Sequence, residues 1–221
     1  MLTANRSSPK RAWNKLPILL IPLAITTAWT ANGCGTNVNT QSVRLDVAFD
    51  RTGSLQSDGL FVPMTANKTV SLGDTGFNVA ERGFVSVTLA AIPTGANVIK
   101  VVLRLAQEAP FGNPFDDFGT LSVDHVNVVA GITAADFLAN PITSSIATIP
   151  PLPTDGSTPI AELDVTNHVK ADIAAGRPIS SFRLVFLNAP SVDFETDRAF
   201  FTADPDFPAL QPFATVTYQQ P

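Results

Sequence analysis

Short runs of alternating apolar and polar residues, cut by glycine and proline, constrain this chain more than any other feature. In VRLDVAFD (43–50), Val43, Leu45, Val47 and Phe49 alternate with Arg44, Asp46 and Asp50. A period of two puts successive side chains on opposite faces of an extended backbone, so such a run is a half-buried β-strand. GFVSVTLAAIP (83–93) is a second run, ended by Pro93-Thr94-Gly95. VIKVVLRLA (98–106) is a third, with Lys100 and Arg104 on one face and Ile99, Val101, Leu103 and Leu105 on the other. The short turn holding Gly95 predicts that these two form a hairpin or a close strand pair. GTLSVDHVNVV (119–129), SFRLVFLNA (181–189) and FATVTYQ (213–219) continue the pattern. So many β-branched and aromatic runs predict an all-β sandwich or barrel.

One segment departs from it. In LDVTNHVKADIAAGRP (163–178), Val165, Val169 and Ile173 recur every four residues, which makes a helical stripe near 165–175. Asp164 or Thr166 can cap its start, and Gly176 and Pro178 supply its stop. The Pro- and Ser/Thr-rich stretch 134–159 reads as a long loop, either packed on a sheet through Ile142, Ile146 and Ile149 or used for binding.

The N-terminus has a separate logic. Arg6, Lys10, Arg11 and Lys15 precede the apolar run LPILLIPLAITTAW (16–29), which is too short to span a bilayer comfortably and holds Pro17 and Pro22. A basic segment, a short apolar segment and small residues before a cleavage point read as a secretory signal over 1–33. Ala31-Asn32-Gly33 suits ordinary signal peptidase and, standing before Cys34, also resembles a bacterial lipobox. Cys34 is the only cysteine, and an unpaired thiol in an oxidising compartment needs an explanation. Lipidation of Cys34 supplies one. The expectation is an exported lipoprotein at the bacterial outer membrane or cell surface, with secreted or periplasmic release as the other outcome. GTNVNTQS then reads as a tether, giving residues 34–42 as linker and 43–221 as one β-sandwich domain.

The whole chain has 14 Lys+Arg and 19 Asp+Glu. Removing the four basic residues of the signal leaves 10 against 19, a balance of −9. Such a surface repels phosphates, which excludes nucleic acid as a partner and confines contact with the lipid bilayer to the N-terminal anchor. It tolerates divalent cations.

ERGFVSVTLAAIPTGANVIKVVLRLAQ (81–107) resembles the DNRLRE-type domain, also grouped as carbohydrate-binding module family 96. There a strand ending in "I-P-x-G-A" leads into "L-R-L". LDVTNHVKADIAAGRPISSFRLVFLN and FETDRAFFTADPDFPALQPFATVTY are similar to that family's "φ-D-V-T-x-x-V" element, short helix and "P-x-L-x-V-x-Y" finish, φ being apolar. The likeness covers most of residues 60–218. It implies a jelly-roll β-sandwich and non-catalytic binding of extracellular polysaccharide.

Sugar-binding sandwiches stack pyranose rings on flat aromatic side chains. Both tryptophans, Trp13 and Trp29, fall in the signal, and Tyr218 in the last strand reads as packing. Phenylalanine must therefore form any platform. Phe111, Phe115 and Phe118 in PFGNPFDDFG (110–119) are the candidates, with packing onto the core as the alternative. The same loop holds Asn113, Asp116 and Asp117, oxygen donors of the kind calcium takes. A second acidic group, Asp193, Glu195 and Asp197, points to one side if its backbone is extended, and then needs a cation or Arg198 among its charges. Either group is a candidate calcium site, with a solvated acidic loop as the alternative.

No G-x-S-x-G, H-E-x-x-H or paired Cys/His pattern is present in the sequence. The two histidines fall in unlike contexts, His125 mid-strand on the face of Leu121 and Val123, His168 on the helix. Three functions fit: a polysaccharide-binding module with calcium support, a structural or adhesive domain, and a lyase or hydrolase. The first is the expectation.

Overall fold

The alternating runs pair as strands in the structure, a computed structural model that describes residues 39–151, 159–204 and 206–220. Strand β1 (Thr40–Asp46) leads through a 3-10 turn (Phe49–Arg51) to β2 (Gly53–Gln56) and β3 (Phe61–Pro63). A one-turn helix, α1 (Met64–Asn67), precedes β4 (Thr69–Asp74), β5 (Ala80–Thr88) and β6 (Asn97–Ala106). Next come α2 (Pro114–Phe118), β7 (Leu121–Val126), α3 (Ala134–Leu138), β8 (Thr143–Ile149) and β9 (Ile160–Asp164). Helix α4 (Thr166–Ala174) is followed by β10 (Ile179–Phe186), β11 (Arg198–Thr202) and β12 (Phe213–Gln219).

Two antiparallel sheets result, ordered β1-β12-β6-β9 and β11-β4-β5-β10-β7-β8. Take β1, β5, β6, β7, β8, β9, β10 and β12 as eight successive strands. One sheet then reads first, eighth, third, sixth, and the core of the other reads second, seventh, fourth, fifth. Two interlocked Greek keys give that order, which makes the fold a jelly-roll sandwich. The pair β11-β4 extends the second sheet, and β2 pairs with β5 and β3 beside it.

Between the sheets lies the main core, with Leu45, Val101, Leu103, Leu105 and Val216 facing Leu72, Val85, Val123, Phe182 and Leu184. Each such side chain contributes about 1.5–3 kcal/mol by leaving water. A second cluster, including Leu55, Phe84, Val126, Ile132 and Phe137, forms on the opposite face of β5 and β7. There the buried Arg183 pairs with Asp124 at 2.8 Å and donates to the carbonyl of Ala139 at 2.8 Å, tying the α3 segment to the sheet. The second sheet is thus covered on both sides, and that is why β7 and β10 read as almost unbroken burial.

Several expectations need correcting. β5 and β6 are no hairpin: Leu89–Ala96 crosses from one sheet to the other. A bulge beside Thr217 and Tyr218 pairs Tyr218 with Val98 and Thr217 with Lys100, so Ile99 is the extra residue. Val98 is buried in its place, because one extra residue moves a side chain to the other face. Residues 40–42, assigned to the tether, belong to β1 and pair with β12. Within 134–159, α3 and β8 replace continuous loop. Helix α4 begins at Thr166 with Val165, not Asp164 or Thr166, as its N-cap and no side-chain cap; Asp164, one residue earlier, accepts from the Thr166 N–H at 3.0 Å. It buries Val169 and Asp172, while Ile173 is exposed.

Candidate functional site

Three loops meet at the end of the sandwich where β4, β6 and β10 finish. They are the β4–β5 loop, the β6–β7 loop that carries α2, and the β10–β11 loop, residues 187–197. Asp197, just before β11, joins them. Its backbone N–H donates to Asp74 Oδ1 at 3.2 Å, and its Oδ1 accepts the Asn113 N–H at 2.6 Å. Asp74 Oδ2 accepts both the N–H and the hydroxyl of Ser191 at 2.8 Å. Phe111 and Arg198 exchange backbone hydrogen bonds of 2.9 and 2.8 Å. Gly112 makes this closeness possible. Its φ is +66°, and a Cβ there would stand 2.1 Å from Asp197 Oδ1.

The two acidic groups that the sequence separates are therefore one neighbourhood. Asp117, one turn into α2 from Asn113, feels the charge of Asp197. Lost hydration, then the charges of Asp197, Asp193 and Asp116, hold the Asp117 carboxyl above the usual range. Asp193 is shifted the other way, because it accepts from the Glu195 N–H and the Ser191 hydroxyl. The presumed extended alternation of Asp193, Glu195 and Asp197 does not occur. Phe194 has a φ of +62°, which leaves Asp193 and Glu195 exposed and Asp197 buried. Asp116 and Asn113 are exposed at the start of α2. Arg198 does not neutralise this group: its Nε lies 3.1 Å from the buried Glu81. No three His, Cys, Asp or Glu side chains among the described residues form a ready-made metal cluster.

The expected phenylalanine platform does not form. Phe118 is 3% exposed, and Phe115 sets its ring edge-on to Phe186 at 5.2 Å, so both pack inward. Phe111 alone of the three is open, at 61%. Two other exposed rings stand at this end, Phe77 and Phe194, where Asn78 Oδ1 accepts the Phe194 N–H at 3.0 Å. Sequence reasoning missed both, since neither lies in an alternating run. Tyr218 packs, as read from its strand, and donates to Gln41 at 3.0 Å.

Two clefts open along the segment that follows β6, the wider one at the start of β4. One of about 500 Å³ is lined by Lys68, Gln107, Glu108, Asp204, Phe207 and Leu210, among others. A narrower one of about 160 Å³ runs beside Pro110, Asn113, Phe115 and Asp116, and Gln107 is a wall of both. Among the described residues, Oε1 of the buried Gln107 has no hydrogen-bond partner. Phe207 is exposed, and Lys68 Nζ lies 3.1 Å from Asp204 and 2.9 Å from Asp206.

The histidines are neighbours after all, their ring centroids 5.1 Å apart. His125 Nε2 lies 2.9 Å from Asp172 Oδ2, and Asp172 also accepts from Arg177. Helix α4 delivers both His168 and Asp172, one turn apart on the same face. Burial first, then His125, hold His168 below its ordinary value. His168 borders a polar cleft of about 640 Å³ with Lys100, Asp164 and Asn167. Cys34, the expected lipidation site, lies outside the described residues.

No protein-family model matches the chain, and no curated protein matches it in sequence.

Proposed function

We propose that this chain is an exported, non-catalytic module of the DNRLRE type, lipid-anchored through Cys34, that binds polysaccharide of the cell envelope or its surroundings. The observation that carries the reading is the pair of clefts walled by Gln107, with the exposed ring of Phe207 in the wider one. A polysaccharide chain offers two things to bind: rows of hydroxyls, and apolar C–H faces of its rings. Lys68, Glu108, Asn113 and Asp204 supply donors and acceptors for the first, and Phe207 supplies a surface for the second. Two clefts sharing a wall suit an extended polymer better than a compact metabolite.

The test is retardation of the protein in native gels cast with neutral and with acidic polysaccharides. Phe207→Ala weakens retardation about three- to tenfold, the worth of one aromatic contact of about 0.5–1.5 kcal/mol. Leu138→Ala, on the exposed end of α3 away from these clefts, leaves it unchanged. Equal migration in every gel would reject the reading in favour of an adhesive domain. Release of reducing ends or unsaturated sugars over time would instead make the protein a hydrolase or lyase.

A further inference from the structure

Among the described residues, Lys68 is the one Lys, Arg or His side chain that lines either cleft. Its Nζ lies 3.1 Å from Asp204 and 2.9 Å from Asp206, so two carboxylates already answer that charge. Glu108 on the wall of the wider cleft and Asp116 on the wall of the narrower one are exposed. Neither forms an ion pair among the described residues. Arg198, bonded through its backbone to Phe111 beside the narrower cleft, keeps its Nε 3.1 Å from Glu81. Both clefts therefore carry an excess of negative charge. Their walls are still well supplied for hydroxyls: a carboxylate accepts from them, and the Lys68 ammonium has a third N–H to donate.

Resting on the polysaccharide reading above, we propose that the clefts accept uncharged polysaccharide and exclude polymers bearing carboxylate or sulfate groups, with Glu108 and Asp116 setting the exclusion. A neutral sugar brings hydroxyl donors to Glu108, Asp116 and Asp204, and a C–H face to Phe207. A polyanion brings acceptors to acceptors at the same places. Like charges at contact distance repel even through water, by about a fivefold change in affinity per pair. No unpaired cation among the described residues lines either cleft to offset that repulsion.

Matched polymers test this in low-salt native gels, with mobility taken relative to a polymer-free gel. Hydroxyethyl cellulose and carboxymethyl cellulose share one backbone, as do dextran and dextran sulfate, and only the second of each pair is charged. The parent is retarded by an uncharged member and at least about fivefold more weakly by its charged counterpart. Glu108→Gln/Asp116→Asn gains about fivefold or more in affinity for the charged counterpart and is still retarded by the uncharged polymer. Asp50→Asn/Asp58→Asn removes the same charge from exposed positions on either side of β2 and gains nothing. An equal gain in both double variants would assign the exclusion to overall charge and overturn the role of the clefts. Retardation by the charged members as strong as by the uncharged ones would overturn the proposal and leave polysaccharide binding standing. Free migration in all four gels would reject the two together.

Discussion

Asp172 concentrates at one residue what the β7–α4 contact depends on. It is buried on the inner face of α4 and accepts from both His125 and Arg177. Burial opposes its ionisation, but the hydrogen bonds from His125 and Arg177 outweigh that and hold its carboxyl below the usual range. A carboxyl with a depressed folded value stabilises the fold at pH above its unfolded value, near 4, and that stabilisation is lost as the pH falls through the folded value. Asp172→Asn should therefore cost about 3 kcal/mol near neutrality, because it leaves a buried histidine and a half-solvated arginine without their acceptor. The gap between parent and variant should narrow as the pH drops from about 5 to below about 4. Urea midpoints across that interval provide the check, and a gap of constant size would show that Asp172 acts through shape alone.

Among the elements, strands that bury one face announced themselves, whereas pairings and loop encounters did not. Val43 and Leu45, or Leu121 and Val123, point inward as their alternation requires. The same alternation is silent on which sheet a strand joins. The turn after Leu89 therefore looked like a hairpin, although it crosses the sandwich. It is equally silent on a bulge, which is set by the partner strand, and so Val98 and Ile99 exchanged places. β8 escaped notice because an edge strand with exposed Thr143, Ser144 and Ser145 carries little apolar signal. At the candidate site, the oxygen donors were legible as residue types. Their union was not, because Asp117 and Asp197 lie 80 positions apart and only the fold closes that distance. Gly112 was the nearest available hint, since it must adopt a positive φ against Asp197. Gly112→Ala should consequently lower the thermal midpoint, at a cost of about 1–3 kcal/mol, as the added methyl strikes Asp197 Oδ1 and the Thr196 carbonyl. Gly131→Ala meets open space and should be neutral or slightly stabilising. Equal behaviour of the two variants in a melting experiment would remove the loop contact as a determinant of stability.

At the scale of the whole molecule, strand direction decides which way the clefts face. β1 begins at Thr40 opposite Gln219, and Gln219 in turn lies opposite Asn97 at the start of β6. The Asp117–Asp197 pair and the clefts at Gln107 lie past the other end of β6, ten residues or roughly 30 Å away. A chain anchored at Cys34 has six residues before Thr40, a reach of at most about 20 Å. On the proposed anchoring at Cys34, the start of β1 would be held towards the bilayer and the clefts would be presented away from it. Two measurements follow from this arrangement. The intact mass of exported protein should correspond to a chain that starts at Cys34 and carries acyl groups, and Cys34→Ser should be released in soluble form. Vesicles bearing the anchored protein should then adsorb to insoluble polysaccharide with the same per-chain affinity as the soluble Cys34→Ser protein, because the proposed anchor would place the bilayer at the far end from the clefts. An unmodified thiol would remove the anchor. Adsorption lost in the anchored form but kept in the soluble one would mean that the clefts face the membrane, and the polysaccharide site would then have to be sought at the opposite end of the sandwich.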